Sequence, residues 1–147
     1  MFRHILIPTD GTALSMQAVQ QGVQFAKSIG AHVTFFHSPP AYEMVVYGEY
    51  FPADVMTAEE YEQITSEASR KILSAAENEA HAAGVACATL QAPSHQAWEA
   101  IVAAAADQKC DLILMASHGR RGLSSLLLGS ETSKVLTHSK IPVLVVR

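Results

Sequence analysis

The sequence predicts a single α/β domain in which helices cover both faces of a doubly wound parallel sheet. Apolar runs of strand length alternate with longer segments of helical periodicity, and this alternation gives five strands. The run at 112–115 has no polar alternation, as expected for a parallel strand covered on both faces. Of the 147 residues, 49% are apolar and 16% charged, so the chain can bury one core. Residues 1–147 are therefore expected to form one domain.

The first part of the chain predicts a strand, a helix and a second strand. His4 to Thr9 is a short apolar run that ends at Asp10-Gly11-Thr12, a turn signal that also has helix-capping chemistry. Helical spacing then predicts helix one from about Leu14 to Ile29, with Gly30 as a left-handed C-cap. Strand two is predicted from Ala31 to His37, where β-branched and aromatic residues are frequent.

The middle of the chain predicts an irregular segment and a long helix. Tyr42 to Phe51 is apolar and aromatic without a sustained period, which indicates either a lid or a contact surface. Thr57-Ala-Glu-Glu60 is a capping box, in which each of the two outer side chains bonds the backbone N–H of the other residue. Helix two starts there and ends at Gly84. Its predicted buried stripe consists of Tyr61, Ile64, Ala68, Ile72, Ala75 and Ala76.

The last part of the chain completes the alternation. Strand three is predicted from Val85 to Leu90, and Ser94 is predicted to cap helix three. Strand four is predicted from Asp111 to Met115, helix four from Ser130 to Ser139, and strand five from Pro142 to Val146. The inner face of helix three is predicted to contain Ala97, Trp98, Ile101, Val102 and Ala105.

Composition and charge exclude several classes of protein. The formal net charge of −4 predicts no bulk attraction to nucleic acid or to an anionic membrane. No stretch approaches the roughly 20 apolar residues of a membrane span, and the N-terminus lacks the apolar region of a signal peptide. Cys87 and Cys110 have neither redox nor metal-finger spacing, so buried thiols in a reducing compartment are expected. These features favour the cytoplasm.

The stretch that joins strand four to helix four predicts an anion site. Strand four runs into Ala116-Ser-His-Gly119, nine residues follow, and Gly129-Ser130 opens helix four. Unpaired N–H groups and the positive end of the helix dipole favour an anion at such a start. If strand four lies beside strand one, Asp10 faces the same crevice. The chain contains no Gly-Lys-Ser/Thr P-loop signature and no G-x-G-x-x-G dinucleotide fingerprint.

These residues resemble the universal stress protein family, specifically its ATP-binding branch. The resemblance covers the whole chain, from Ile5-Leu-Ile-Pro-Thr-Asp10-Gly through Phe36-His37 to Pro142-Val-Leu-Val-Val. In the ATP binders the loop reads Gly, two residues, Gly, nine residues, then Gly followed by Ser or Thr. This chain keeps the spacing and the later positions but has Ala116 at the first glycine. The resemblance implies a Rossmann-like sheet with strand order 3-2-1-4-5.

The resemblance also implies where ATP would bind. Thr9-Asp10 and Ser38 would meet adenine and ribose, and Asp10 could also contact Mg²⁺. Met115 and Ala116 would line the next wall, while backbone N–H groups and hydroxyls around the start of helix four would surround the phosphates. The implied nucleotide-binding residues are Pro8, Thr9, Asp10, Ser38, Met115, Ala116, Gly119, Gly129, Ser130, Glu131 and Thr132.

Two functions of different classes remain open from the sequence. The first is a stress-response protein that binds ATP with Mg²⁺ as a regulatory ligand and pairs as a homodimer through Val143 to Val146. It is not expected to be an enzyme beyond slow ATP hydrolysis, because no positioned general base and transition-state cation are evident. The second is a dimeric interaction module that has lost nucleotide binding through Ala116 and uses Tyr42 to Phe51 to bind partner proteins.

The two loop positions that differ from a plain phosphate site have alternative interpretations. If the position of Ala116 needs a positive φ or a close approach of backbone to ligand, its Cβ costs about 1 kcal/mol or more. Glu131 in the first turn of a helix stabilises the dipole, but it would repel a phosphate unless its side chain points away. Phosphate binding at this loop therefore depends on the backbone conformation of Ala116 and on the direction of the Glu131 side chain.

Polar residues near the predicted crevice also have more than one interpretation. Asp10 either forms an Asx turn or helix cap, or contacts the ligand. Arg120-Arg121 either pairs with phosphate or is simply solvated. His37 and His118 could form a zinc site with Asp10, although no short histidine spacing supports it.

Overall fold

The computed structural model describes residues 1–43, 55–118 and 127–147, in which five parallel strands form one sheet. The strands lie in the order β3-β2-β1-β4-β5, which confirms the predicted fold class and strand order. Each predicted strand boundary agrees with the structure within two residues. The strands are β1 His4–Pro8, β2 His32–His37, β3 Cys87–Gln91, β4 Leu112–Ala116 and β5 Val143–Val146.

Four helices cover the two faces of this sheet. Side chains of β1 alternate between the faces, so that Ile5 and Ile7 join the core under α1 and α2 while Leu6 joins the core under α3 and α4. Because both faces are covered, all five residues of β4 are buried. The helices are α1 Ala13–Ile29, α2 Ala58–Ala83, α3 Ala97–Asp107 and α4 Ser130–His138.

The ends of α1 and α2 follow the local signals of the sequence. The Thr12 hydroxyl accepts a hydrogen bond from the Ser15 N–H at 3.2 Å, and the capping box of Thr57 and Glu60 is confirmed in both directions. Gly30 has φ 71° and Gly84 has φ 74°, the left-handed conformation expected at these C-caps. Local chemistry therefore determines where both helices begin and end.

The predicted buried stripe of α2 is wrong for most of its residues. Ile64 is 58% exposed, whereas the residues that the helix buries completely include Ser69. The Ser69 hydroxyl bonds the His37 imidazole of β2 at 2.7 Å, which satisfies a polar group at a core position. A pattern of apolar residues does not include a serine, so the prediction placed the buried stripe at other positions. The buried stripe consists of Ser69, Leu73, Ala76 and Ala80.

The predicted cap of α3 by Ser94 is also wrong. The helix begins at Ala97, and the Ser94 hydroxyl instead bonds the N–H of Gln96 at 3.1 Å and its carbonyl at 2.9 Å. The acceptor at the start of α3 comes from α4, because the Glu131 carboxylate accepts the Trp98 N–H at 2.8 Å. The first turn of α3 is therefore capped by Glu131, which is distant in sequence, and not by Ser94.

The cysteines are free thiols, and they differ in burial. Burial raises the pKa of the Cys110 thiol to about 11, as expected for an inert core cysteine. Cys87 is only half-buried, since it opens β3 at an edge of the sheet. Within residues 1–43, 55–118 and 127–147, no helix has both the length and the hydropathy that crossing a bilayer requires.

Close packing of α1 on the sheet depends on Gly22. A Cβ built at this buried glycine would lie 2.5 Å from Ile7 Cδ1 and 3.1 Å from Leu114 Cδ2. Both neighbours are themselves in the core. The absence of a side chain therefore lets α1 approach β1 and β4 at the switch point of the sheet.

We predict that Gly22→Ala destabilises the fold and that Ile7→Val partly rescues it. Overpacking should cost about 1–3 kcal/mol, offset by up to about 1 kcal/mol from the higher helix propensity of alanine. Ile7→Val alone should cost about 1 kcal/mol, but it removes the atom nearest to the new Cβ. Urea unfolding of the four proteins of this cycle measures the coupling. Strictly additive effects would contradict the contact.

Candidate functional site

A cavity of about 460 Å³ opens where the carboxyl ends of β1, β2 and β4 meet. This is the switch point at which strand order reverses, where doubly wound folds bind their ligands. Gly119, like Arg120-Arg121, lies outside the described residues. Every predicted site residue that the structure describes lines the cavity: Pro8, Thr9, Asp10, Ser38, Met115, Ala116, Gly129, Ser130, Glu131 and Thr132.

The Asp10 turn forms one wall of the cavity. Its Oδ1 accepts hydrogen bonds from the Thr12 N–H at 3.0 Å and the Thr12 hydroxyl at 2.6 Å, which is an Asx turn. The hydroxyls of Thr9 and Ser15, 2.7 Å apart, hold the chain on either side. Oδ2 of Asp10 has no hydrogen-bond donor among residues 1–43, 55–118 and 127–147. The turn and a ligand contact are thus compatible, because they use different oxygens.

The start of α4 forms the opposite wall. Gly129 is extended, with φ −60° and ψ 152°, and its N–H donates to the Ser117 carbonyl at 2.7 Å. The buried Thr132 hydroxyl donates to the Ala116 carbonyl at 2.9 Å. Within the described part of the chain, the backbone N–H groups of residues 130–132 have no acceptor. The first turn of α4, whose three N–H groups have no acceptor in the described ranges, therefore lines the cavity with the positive end of the helix.

Ala116 causes no backbone strain at this site. It is the last residue of β4, and Lys109 is the one non-glycine residue with positive φ in the described ranges. Its methyl group joins the core cluster under α1, alternating with Met115, which belongs to the cluster on the other face. The cost expected for a left-handed alanine is therefore not incurred.

Glu131 is directed at the start of α3. One of its oxygens accepts the Trp98 N–H at 2.8 Å, and the other lies 3.9 Å from the Lys134 ammonium. The positive end of α3 and the lysine thus both stabilise the carboxylate. This arrangement weakens the repulsion that a free carboxylate would exert on a phosphate at the neighbouring amides.

The sequence interpretation missed several residues of the cavity wall. His118 is the most informative, since its Nδ1 bonds the Ser117 hydroxyl at 3.0 Å while its buried Nε2 has no partner in the described part of the protein. A buried unpaired nitrogen beside a cavity is a ready contact for a polar ligand. The wall residues that were not predicted to bind the nucleotide include Ser15, Phe36, His37, Pro40, Ser94, His95, Ala97, Ile101 and His118, of which His37 and His118 were considered only as zinc ligands.

The zinc arrangement considered for the crevice is not formed. Among the residues described, Asp10, His37 and His118 do not bring three ligand atoms together. His37 instead bonds Ser69 through Nδ1. Likewise, Ser38 donates its hydroxyl to the Ala92 carbonyl at 2.8 Å, so its own role in the wall is partly structural.

The whole chain matches a known family. The sequence model described as "Universal stress protein family" matches residues 1–147. Universal stress protein YxiE of Bacillus subtilis is 32% identical over an alignment of 151 residues that covers 100% of both chains. Universal stress protein MJ0531 of Methanocaldococcus jannaschii is 31% identical over 147 residues, covering 100% of this chain and 83% of the relative.

Solved structures of universal stress proteins have a similar fold over nearly the whole chain. The structure of MJ0577, from M. jannaschii, is 28% identical with a TM-score of 0.76 and covers 99% of this chain and 96% of its own. A universal stress protein in complex with cAMP is 24% identical (TM-score 0.67, 99% and 97% covered). One from Archaeoglobus fulgidus in complex with dAMP is 15% identical (TM-score 0.64, 100% and 98% covered). Because the family model matches residues 1–147 and two relatives above 30% identity align with the whole of this chain, the chain belongs to the universal stress protein family.

Proposed function

We propose that this protein binds an adenine nucleotide, ATP with Mg²⁺, as a regulatory ligand in the cytoplasm. The observation that carries the proposal is the start of α4, where three backbone N–H groups without an acceptor in the described ranges face a cavity at the switch point. Family members crystallised with cAMP and dAMP support an adenine nucleotide as the ligand class.

The phosphates would be held by local contacts. The protein has a formal net charge of −4, so no bulk field attracts a polyanion. Free amides and the dipole of α4 supply the attraction, and the Ser130 hydroxyl can add a further donor. Holding Glu131 on α3 keeps the nearest carboxylate engaged.

The nucleoside would lie toward β1 and β2. Pro8 ends β1 at the cavity and Thr9 follows it, Ser38 follows β2, and Met115 lines the wall from β4. The free Oδ2 of Asp10 can accept a ribose hydroxyl or contact Mg²⁺, which prefers oxygen ligands. The cavity volume of about 460 Å³ is within the range of small-molecule sites.

The site is proposed to bind ATP without fast turnover. Among the cavity-lining residues that the structure describes, no lysine or arginine is present to stabilise transferred charge. Efficient phosphoryl transfer needs such a cation together with a positioned water or base. A long-lived bound nucleotide suits a regulatory ligand, whose presence changes what the protein contacts.

Ser130→Pro tests the amide donors directly. Proline is preferred at the first position of a helix, and the extended Gly129 has the conformation that a residue before proline adopts. The variant therefore removes one N–H and should preserve α4. Since a hydrogen bond to a charged group contributes about 1.5–3 kcal/mol, ATP affinity should fall roughly ten- to a hundredfold. Calorimetry of the nucleotide-stripped protein with ATP and Mg²⁺ measures this.

Ser130→Ala is the matched control, because it removes the hydroxyl and keeps the N–H. Its affinity should fall less than that of the proline variant. If wild type and Ser130→Pro bind ATP with equal affinity, the phosphates do not bind at the start of α4. No heat and no thermal shift for wild type at millimolar ATP would reject nucleotide binding and favour the interaction module. The segment assigned to that module, Tyr42 to Phe51, lies outside the described residues from position 44 onward.

We also propose a homodimer that forms through β5. Among the described strands β5 pairs only with β4, so its other side is an edge. Leu144 in this strand is 42% exposed, and an apolar edge strand invites pairing with another chain. The free edge and the exposed leucine thus favour β5 as the dimer contact.

Leu144→Lys should convert the dimer to a monomer, because a charge on the apolar edge opposes burial against the partner copy. Sedimentation measures the change. Ile64→Lys is the control, since Ile64 is 58% exposed on α2 and distant from that edge. A Leu144→Lys protein that remains dimeric would rule out pairing through β5.

A further inference from the structure

Three side chains that can bind a metal meet where the edge strand β3 begins. The cavity lies at the other end of the strands, beyond their carboxyl ends. Glu77 and His81 lie on successive turns at the end of α2, and Cys87 is the first residue of β3. A carboxylate oxygen, an imidazole nitrogen and the Cys87 sulfur all lie within 4.8 Å of one another. Within residues 1–43, 55–118 and 127–147, no other group of this kind is found. The proposed nucleotide site uses none of these residues.

We propose that Glu77, His81 and Cys87 form a binding site for a divalent transition-metal ion, with Zn²⁺ as the occupant. Thiolate and imidazole ligands favour Zn²⁺ over Mg²⁺ or Ca²⁺, which prefer sites made of oxygen atoms. Three protein ligands leave one tetrahedral position for water or for a ligand from a partner. The site is independent of nucleotide binding.

The local fold explains why the three side chains converge. Residues four apart on a helix lie on the same face, which places Glu77 beside His81. Gly84, with φ 74°, ends α2, and the Val85 N–H returns to the Ala80 carbonyl at 2.9 Å. The chain therefore reverses at once, and β3 starts with its cysteine beside the last turns of the helix.

Small side-chain rotations suffice to close the site. A tetrahedral zinc site places its ligand atoms about 3.3–3.6 Å apart. His81 Nε2 already lies 3.9 Å from Glu77 Oε1, and the imidazole is 64% exposed, so no core contact resists its rotation. Cys87 provides the fixed point, because it packs against the core cluster under α1 and α2.

The charges of the site also balance. The Glu77 carboxylate and the Cys87 thiolate together neutralise a divalent cation, and the negative end of the α2 dipole adds a favourable field. Cysteine binds a metal as the thiolate, so the ion replaces the Cys87 proton, which is released to solvent. The ion would fasten the end of α2 to the edge strand β3.

Cobalt spectroscopy tests the site, with Co²⁺ as a probe that Zn²⁺ then displaces. Titration of the reduced, full-length protein under anaerobic conditions should give a thiolate-to-cobalt charge-transfer band and the intense visible bands of tetrahedral cobalt. Cys87→Ser should abolish the charge-transfer band and weaken Zn²⁺ binding at least about tenfold. Cys110→Ser is the matched control and should retain both the spectrum and the affinity.

His81→Gln provides a second readout on an exposed residue that folding does not require. At free Zn²⁺ a hundred times the Kd, the unfolding midpoint of wild type and Cys110→Ser should rise by about 5–10 °C. The rise should be absent in His81→Gln. A purely octahedral cobalt spectrum, a charge-transfer band that survives Cys87→Ser, or an equal thermal shift in His81→Gln would each overturn the proposal.

Discussion

Two hydrogen bonds fix the start of α4 to the end of β4, and the cavity is arranged around this attachment. The Gly129 N–H bonds the Ser117 carbonyl at 2.7 Å, and the buried Thr132 hydroxyl bonds the Ala116 carbonyl at 2.9 Å. Because β4 lies beside β1, the attachment sets the free amides of α4 against the Asp10 turn. The donors are thus held in place before any ligand arrives, which lowers the entropic cost of binding.

Glu131 extends this attachment to a second helix. No side chain within α3's own sequence caps its first turn, and the carboxylate from α4 accepts the Trp98 N–H in its place. One contact therefore satisfies an N–H of α3 that has no partner within its own helix, and it engages a carboxylate of the cavity wall. The first turns of both helices consequently line the same cavity in a fixed relation.

Local chemistry made most elements predictable, whereas tertiary contacts determined the rest. Caps such as Thr12 and Gly84 depend on a few neighbouring residues, so the sequence predicts them directly. Strand order required the family resemblance, because parallel pairings join distant segments. The buried stripe of α2 was wrong because Ser69 is satisfied by His37 from β2. The cap of α3 was wrong because its acceptor lies 33 residues away.

In the candidate site, too, local sequence predicted some features and tertiary contacts determined the others. The loop spacing and Asp10 predicted both walls of the cavity, but the direction of the Glu131 side chain could not be read from its position in a first turn. His118 was considered at the crevice only as a zinc ligand, since its Nε2, unpaired within the described residues, becomes evident only when its surroundings are known. The cost considered for Ala116 could come from a positive φ or from a close approach of backbone to ligand, and the structure removes the first, because this strand residue has no positive φ.

We propose above that the amides of α4 hold the phosphates of an adenine nucleotide. A titration of the ¹⁵N-labelled protein with ATP and Mg²⁺, followed by amide NMR, tests it most directly. Large, saturable shifts are expected for the N–H signals of residues 130–132, and none for Cys87 in the edge strand β3. Shifts that leave residues 130–132 unaffected would contradict it.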